Sequence, residues 1–151
     1  MGEHGARVVA AGPEHLDELV VLFEAYRAFY EAPADPGGSR IFLSDRLNGG
    51  EAHVLLASVE NAAAGFTLLY PTFSSVRRGR LFVLNDLYVD RAFRQRGIGR
   101  QLLDAAVAFA RSAGALGLQL ETQRTNTVAQ ALYLEQGWEP DDEFCTYHYC
   151  L

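Results

Sequence analysis

Apolar and polar residues along this chain recur with two different periods, and each change of period marks the edge of an element. Arg7 to Ala11 read as a short apolar strand ending at Gly12-Pro13. Leu16, Leu19, Val20, Phe23 and Arg27 then recur at helical spacing, which predicts a first helix through about Glu31. Pro33, Pro36, Gly37 and Gly38 break it, and Ile41, Phe42, Asp45 and Arg46 predict a short second helix closed by Asn48-Gly49-Gly50. Ala52 to Val59 and Ala64 to Phe73 read as strands joined by the polar turn Glu60-Asn61, an antiparallel hairpin. The run LFVLNDLYV, Leu81 to Val89, is a third apolar strand with Asp86 in its middle. Ile98, Leu102, Leu103, Ala106, Phe109 and Ala110 give the most regular helical face, ending before Gly114. Leu116 to Thr122 reads as a strand, Thr127 to Gln136 as a helix closed by Gly137, and Phe144 to Leu151 as a final alternating strand. This order predicts an α/β sandwich around a mixed, mostly antiparallel sheet.

Composition narrows the picture. With 151 residues, 49% of them hydrophobic, and no linker, repeat or low-complexity stretch, residues 1–151 read as a single domain. No 18-residue apolar run could span a bilayer, and the first residues have neither a secretory nor an Arg-rich transit pattern, so a cytoplasmic location is expected, with no membrane partner. All 13 basic residues are Arg. Without Lys, neither a Walker-A phosphate loop nor a pyridoxal phosphate Schiff base can be built. The net charge of -6 argues against nucleic acid as a partner, although Arg77, Arg78, Arg80, Arg91, Arg94, Arg96 and Arg100 cluster closely enough for a local anion site. His4, His15, His53 and His148 are scattered, so no metal site is expected. Cys145 and Cys150 would point to opposite faces of the final strand, and no disulfide between them is expected. No serine sits in a nucleophile elbow.

Two features invite chemistry. Asp86, a carboxylate inside an apolar strand, is either solvent-facing at an edge or functional. The segment Arg94-Gln95-Arg96-Gly97-Ile98-Gly99-Arg100 joins that strand to the most regular helix. Its glycines permit close backbone approach, and the helix-opening N–H groups with the helix dipole attract an anion such as pyrophosphate. A dinucleotide fingerprint would need a third glycine, where this chain has Leu102.

The RxxGxG segment after LNDLYV, followed by LQLET, then Asn126, Ala129, Ala131-Leu132-Tyr133 and Gly137-Trp138, resembles the GNAT superfamily of acyl-CoA-dependent N-acetyltransferases from Leu81 to Trp138. A weaker similarity of the AYRAFYE segment and of the C-terminal residues points toward the branch containing histone and polyamine acetyltransferases. The resemblance implies a seven-stranded mixed sheet flanked by about four helices and splayed between strands 4 and 5, with coenzyme A in the gap. It also implies direct transfer of an acetyl group from acetyl-CoA to a primary amine in a ternary complex, without a metal. The implied acceptor is a cationic small molecule or a protein lysine or N-terminus. An alternative is a noncatalytic acyl-CoA-binding or regulatory module on the same fold. Homodimerisation through an exposed edge or the final strand is an expectation from similar proteins.

Carried over by position, the resemblance makes the backbone of Arg94, Gln95, Arg96, Gly97, Ile98, Gly99 and Arg100 the pyrophosphate cradle. Leu87, Tyr88 and Val89 become the strand positions beside the pantetheine arm and the acetyl carbonyl. Asn126 is the matching cofactor contact, and Tyr133 is the general acid for the departing thiolate, seven residues on and about 10 Å along the same helix face. A packing aromatic is the other reading of Tyr133. A free amine of the lysine type has a pKa of about 10.4, so a base or a water relay ending at a carboxylate is expected; Glu121 and Asp86 are the two candidates, with capping or a salt bridge to a nearby Arg the other reading of each. Polyamine-acetylating relatives place a Glu one residue before Asp86, where this chain has Asn85, which cannot serve as a base. Tyr26, Tyr30 and Glu31, with Phe29 and Asp35 nearby, are the candidate acceptor-binding residues, an aromatic and acidic wall suited to a cation. Helix core is the alternative for those aromatics, and a solvated loop is the alternative for the acidic turn Glu139, Asp141, Asp142 and Glu143.

Overall fold

The computed structural model describes residues 5–151, so His4 lies outside the described residues. They fall into two compact units, the first ending at Glu121 and the second running Thr122–Leu151. The first unit holds β1 (Arg7–Ala10), α1 (Leu16–Phe29), α2 (Pro36–Asn48), β2 (His53–Val59), β3 (Ala62–Ser74), β4 (Gly79–Val89), α3 (Ile98–Ser112) and β5 (Gly117–Leu120). The second holds α4 (Thr127–Glu135). Among the described residues, no helix is long and apolar enough to cross a membrane.

The sheet has five strands in chain order, antiparallel from β1 to β4 and parallel between β4 and β5, which is the expected mixed and mostly antiparallel arrangement. Five is fewer than the seven implied by the resemblance. Phe144 to Leu151 is not a strand: the whole segment is exposed, Phe144, Tyr147, Tyr149 and Leu151 included. Alternation supplies the two faces of a strand but not the neighbouring edge whose N–H and C=O groups complete one. Cys145 and Cys150, within that segment, are free and exposed.

Helices cover both faces of the sheet. Leu19, Val20 and Leu22 of α1 and Leu43 of α2 pack with Val54, Leu56, Phe66 and Leu68 of β2 and β3. On the other face α3 buries a stripe of Ile98, Leu102, Leu103, Ala106 and Ala110, and Phe109 lies 4.9 Å from the His53 ring and 5.2 Å from Phe82. The second helix starts earlier than its glycines and prolines predict. Pro36 occupies its first turn, where a missing N–H costs nothing, and the Asp35 carboxylate accepts the Gly38 N–H at 3.0 Å.

Two details of β3 and β4 position the site. The register slips by one residue: Leu68 faces Asp86, but Leu69 faces Leu84, which leaves Asn85 as the extra residue of a β-bulge. Before the bulge, Phe82 and Leu84 lie on the α3 face; after it, Asp86 and Tyr88 lie opposite Leu68 and Phe66 on the α1 face. Strict alternation would have left all four on one face. The second detail is the short reach of β5, which pairs only with Leu81 to Leu84. From Asn85 to Val89, β4 is paired to β3 alone among the described residues.

Phe66 has no exposed surface and meets Phe23, Tyr26 and Tyr88 at ring distances of 5.8 to 6.4 Å. Phe66→Ala removes the centre of this cluster and is expected to lower unfolding stability by about 3–5 kcal/mol in urea denaturation.

Candidate functional site

The bulge delivers Asp86 into an aromatic surround. Its side chain is buried at 5% exposure, and the Asn85 Nδ2 donates to its Oδ1 at 3.1 Å. The Tyr26 hydroxyl of α1 is directed at the same carboxyl as a donor and also interacts with the Tyr30 hydroxyl. The Tyr26 ring stands edge-on to Phe66 at 5.8 Å, to Tyr88 at 6.1 Å and to Tyr30 at 5.2 Å. Spacing along α1 explains the geometry: Tyr26 and Tyr30 are four apart and share a helix face. Among the described residues, Asp86 forms no ion pair.

Burial pushes the Asp86 pKa above the ordinary carboxylate value, and the bonds from Tyr26 and Asn85 restrain the rise. The Tyr26 phenol is driven upward by burial first and by the Asp86 charge second, so it stays protonated and remains a donor. Tyr70 is raised for the same two reasons in the same order. A buried carboxyl with an elevated pKa and no cation beside it is suited to take a proton from an amine or to hold an ammonium group.

Downstream of β4 the chain turns into the glycine segment. Asp90 donates its N–H to the Ala64 carbonyl at 2.8 Å and caps a one-turn 3-10 helix, accepting the Ala92 N–H at 3.0 Å. Arg94 folds back, its Nε donating to the Val89 carbonyl at 3.0 Å while its guanidinium lies 5.7 Å from the Tyr88 ring centre. Arg96 lies over Phe93 at 5.5 Å. Gln95 and Gly97 both take left-handed backbone, at φ 64° and 75°. A side chain at Gly97 would be strained there, and the space over it is open. Ile98 and Gly99 open α3, so by position their N–H groups have no intrahelical acceptor. Open space, helix-opening donors and nearby Arg side chains suit a pyrophosphate.

The remaining candidates are placed as follows. Glu121 is exposed, one residue beyond β5. Glu31 is exposed in left-handed backbone just past α1, its N–H bonded to the Ala28 carbonyl at 3.0 Å. In the second unit, Asn126 caps α4 by accepting the Ala129 N–H at 3.2 Å, so its side-chain carbonyl is engaged and its amide is the group left to donate. The Tyr133 ring lies 6.2 Å from Trp138. The structure therefore brings Tyr26, Tyr30, Asp86 and Tyr88 together within the first unit. Thr67, Tyr70 and Phe66 also frame Asp86 and were not among the candidates. Only Thr67 carried a signal, as a polar residue within the apolar run GFTLLY.

Because the folded state holds the Asp86 proton more tightly than the unfolded chain does, this group weakens the fold as pH rises from about 3.9 through its elevated folded value. Asp86→Asn is therefore expected to raise the melting temperature at pH 7, with the gain vanishing below about pH 4. Thermal melts of both proteins across that range check this.

Comparison with known proteins identifies the family. Residues 19–138 match the model of the acetyltransferase (GNAT) family. The chain is 44% identical over 133 residues to the uncharacterized N-acetyltransferase YhfO of Bacillus subtilis (strain 168), covering 88% of each protein. It superposes on the crystal structure of a probable acetyltransferase with a TM-score of 0.91 at 38% identity, covering 96% of this chain and 97% of that one. It shares its fold with AAC(6')-Iy, solved in complex with the bisubstrate analog CoA-S-monomethyl-acetylneamine, at a TM-score of 0.79 and 19% identity over 97% of this chain and 99% of the other. The chain belongs to the GNAT acetyltransferase family and is an acetyl-CoA-dependent N-acetyltransferase.

Proposed function

We propose that residues 1–151 act as one domain that acetylates a primary amine carried by a cationic small molecule or by a protein lysine or N-terminus, by direct attack in a ternary complex. The observation that carries this reading is Asp86, a buried carboxyl walled by Tyr26, Tyr30, Phe66 and Tyr88 and lacking an ion pair among the described residues. An ammonium group supplies the charge this carboxylate lacks, and the ring faces favour a cation.

In the reaction, Asp86 takes one proton from the acceptor ammonium, and the freed nitrogen lone pair attacks the thioester carbonyl carbon. The carbon–sulfur bond breaks, Tyr133 gives its phenolic proton to the departing thiolate, and the second proton, shed by the newly acylated nitrogen, returns to the Tyr133 phenolate directly or through water. Tyr26 holds the Asp86 carboxyl in place as a donor, and Tyr30 and Glu31 face the acceptor. Glu121, exposed one residue beyond β5, is the second base candidate.

The cofactor roles remain those the resemblance implies. N–H groups from Gln95 to Arg100, centred on Gly97 and Gly99, hold the pyrophosphate, with Arg94 and Arg96 alongside. The backbone of Leu87 to Val89 lies along the pantetheine arm and polarises the acetyl carbonyl. Support comes from the absence of a second strand partner beyond Leu84 among the described residues. The Val89 carbonyl is already engaged by Arg94, and Tyr88, two residues before the Asp90 N–H that bonds the Ala64 carbonyl, directs its backbone groups at β3, which leaves Leu87 as the position best suited to that contact. Asn126 donates through its free amide. A homodimer formed through an exposed edge or Phe144 to Leu151 fits the exposed apolar side chains there, and light scattering measures it.

Incubation with acetyl-CoA and a panel of a polyamine, amino acids, an aminoglycoside and an N-terminal peptide, read by product mass, is expected to yield one acetylated class. Tyr133→Phe should lower the rate by about 100-fold or more while keeping the thermal shift with acetyl-CoA. Binding without any product, or an unchanged rate in the variant, overturns these assignments.

A further inference from the structure

Thr67 has no exposed surface, and its Oγ1 donates to the Asp86 main-chain carbonyl at 2.8 Å. It sits on β3 opposite Leu87, immediately beside the point where the β3–β4 register slips. A bulge leaves part of the ladder unpaired, and the side-chain hydroxyl there supplies a hydrogen bond to the backbone of the residue that the bulge turns. Thr is also stiff about χ1, so the hydroxyl is held with little freedom. Asn85, the bulged residue itself, donates through its side-chain Nδ2 to the Asp86 carboxyl at 3.1 Å.

We propose that Thr67 is a positioning residue: its hydroxyl pins the Asp86 backbone at the bulge and thereby holds the Asp86 carboxyl on the α1 face against Tyr26. The inference builds on the reading of Asp86 as the base and cation site. It assigns to Thr67 a function that a merely satisfied core hydroxyl would lack. Valine matches the shape of threonine without the donor; in Thr67→Val the Asp86 carbonyl loses this bond and the carboxyl gains freedom to leave its buried position. Serine keeps the donor.

Carboxyl carbon-13 NMR titrations of the wild type, Thr67→Val and Thr67→Ser test this without needing an acceptor, the Asp86 signal being assigned by its loss in Asp86→Asn. The wild type and Thr67→Ser should titrate above the ordinary carboxylate value of about 3.9, and Thr67→Val should move back toward it. Amide spectra establish that each variant is folded, and a lower melting temperature alone does not move this midpoint. In acetyl transfer, Thr67→Val should raise the acceptor KM about tenfold and leave the KM for acetyl-CoA unchanged. A wild-type midpoint in folded Thr67→Val overturns the positioning role. Should Asp86→Asn retain full transfer activity, the base assignment fails instead, and the titration still decides whether Thr67 holds the carboxyl.

Discussion

A single extra residue in one strand decides where Asp86 lies. With Asn85 bulged out of the β3–β4 ladder, the two halves of β4 serve opposite faces of the sheet: Phe82 and Leu84 fill the layer under α3, while Asp86 and Tyr88 join the aromatic layer of α1. Without the slip, Asp86 would share a face with Phe82, Leu84 and the apolar stripe of α3, where a carboxylate has no donor. Tyr26 and Tyr30 then complete what the bulge begins, because their helical spacing brings two hydroxyls to one place.

The surroundings of Asp86 are poor for stability and useful for chemistry. Burial raises its pKa, and its neighbours supply hydrogen-bond donors but, among the described residues, no ion pair. A scaffold selected only for stability would place an apolar side chain or an Arg partner there. The chain has 13 Arg to draw on, and several lie close by in sequence, yet Arg94 is turned onto the Val89 carbonyl and the Tyr88 ring. This unpaired carboxyl is the feature on which the proposed cation site rests.

Much of this was legible in the order of residues. Among the described residues, period changes locate the five strands and every α-helix but the start of α2 to within a few residues, since amphipathic faces follow directly from which side chains must be buried. Asp86 stands out because a charge inside LFVLNDLYV is either solvent-facing at an edge or functional, and the structure buries it. The bulge itself is not legible: β4 is a near-continuous apolar run with no alternation to interrupt, and only the partner strand reveals that one residue has no counterpart. Thr67 escaped for a related reason, as its hydroxyl matters only through a carbonyl 19 positions away. Pro36-Gly37-Gly38 was read as a breaker because its helix-starting role depends on the Asp35 cap. The last strand failed because periodicity describes faces and is silent about neighbours.

The stretch of β4 beyond Leu84 that has no second strand partner among the described residues also bears on what can pair with it. Unpaired strand edges recruit other strands and seed aggregates, and a long flat one would be hazardous at cellular concentrations. Here the bare stretch is only the five residues Asn85 to Val89; it starts at a bulge that adds twist, and it ends where Arg94 occupies the last carbonyl. An edge so short and curved can receive a slender flexible molecule, yet it is a poor template for another protein's strand.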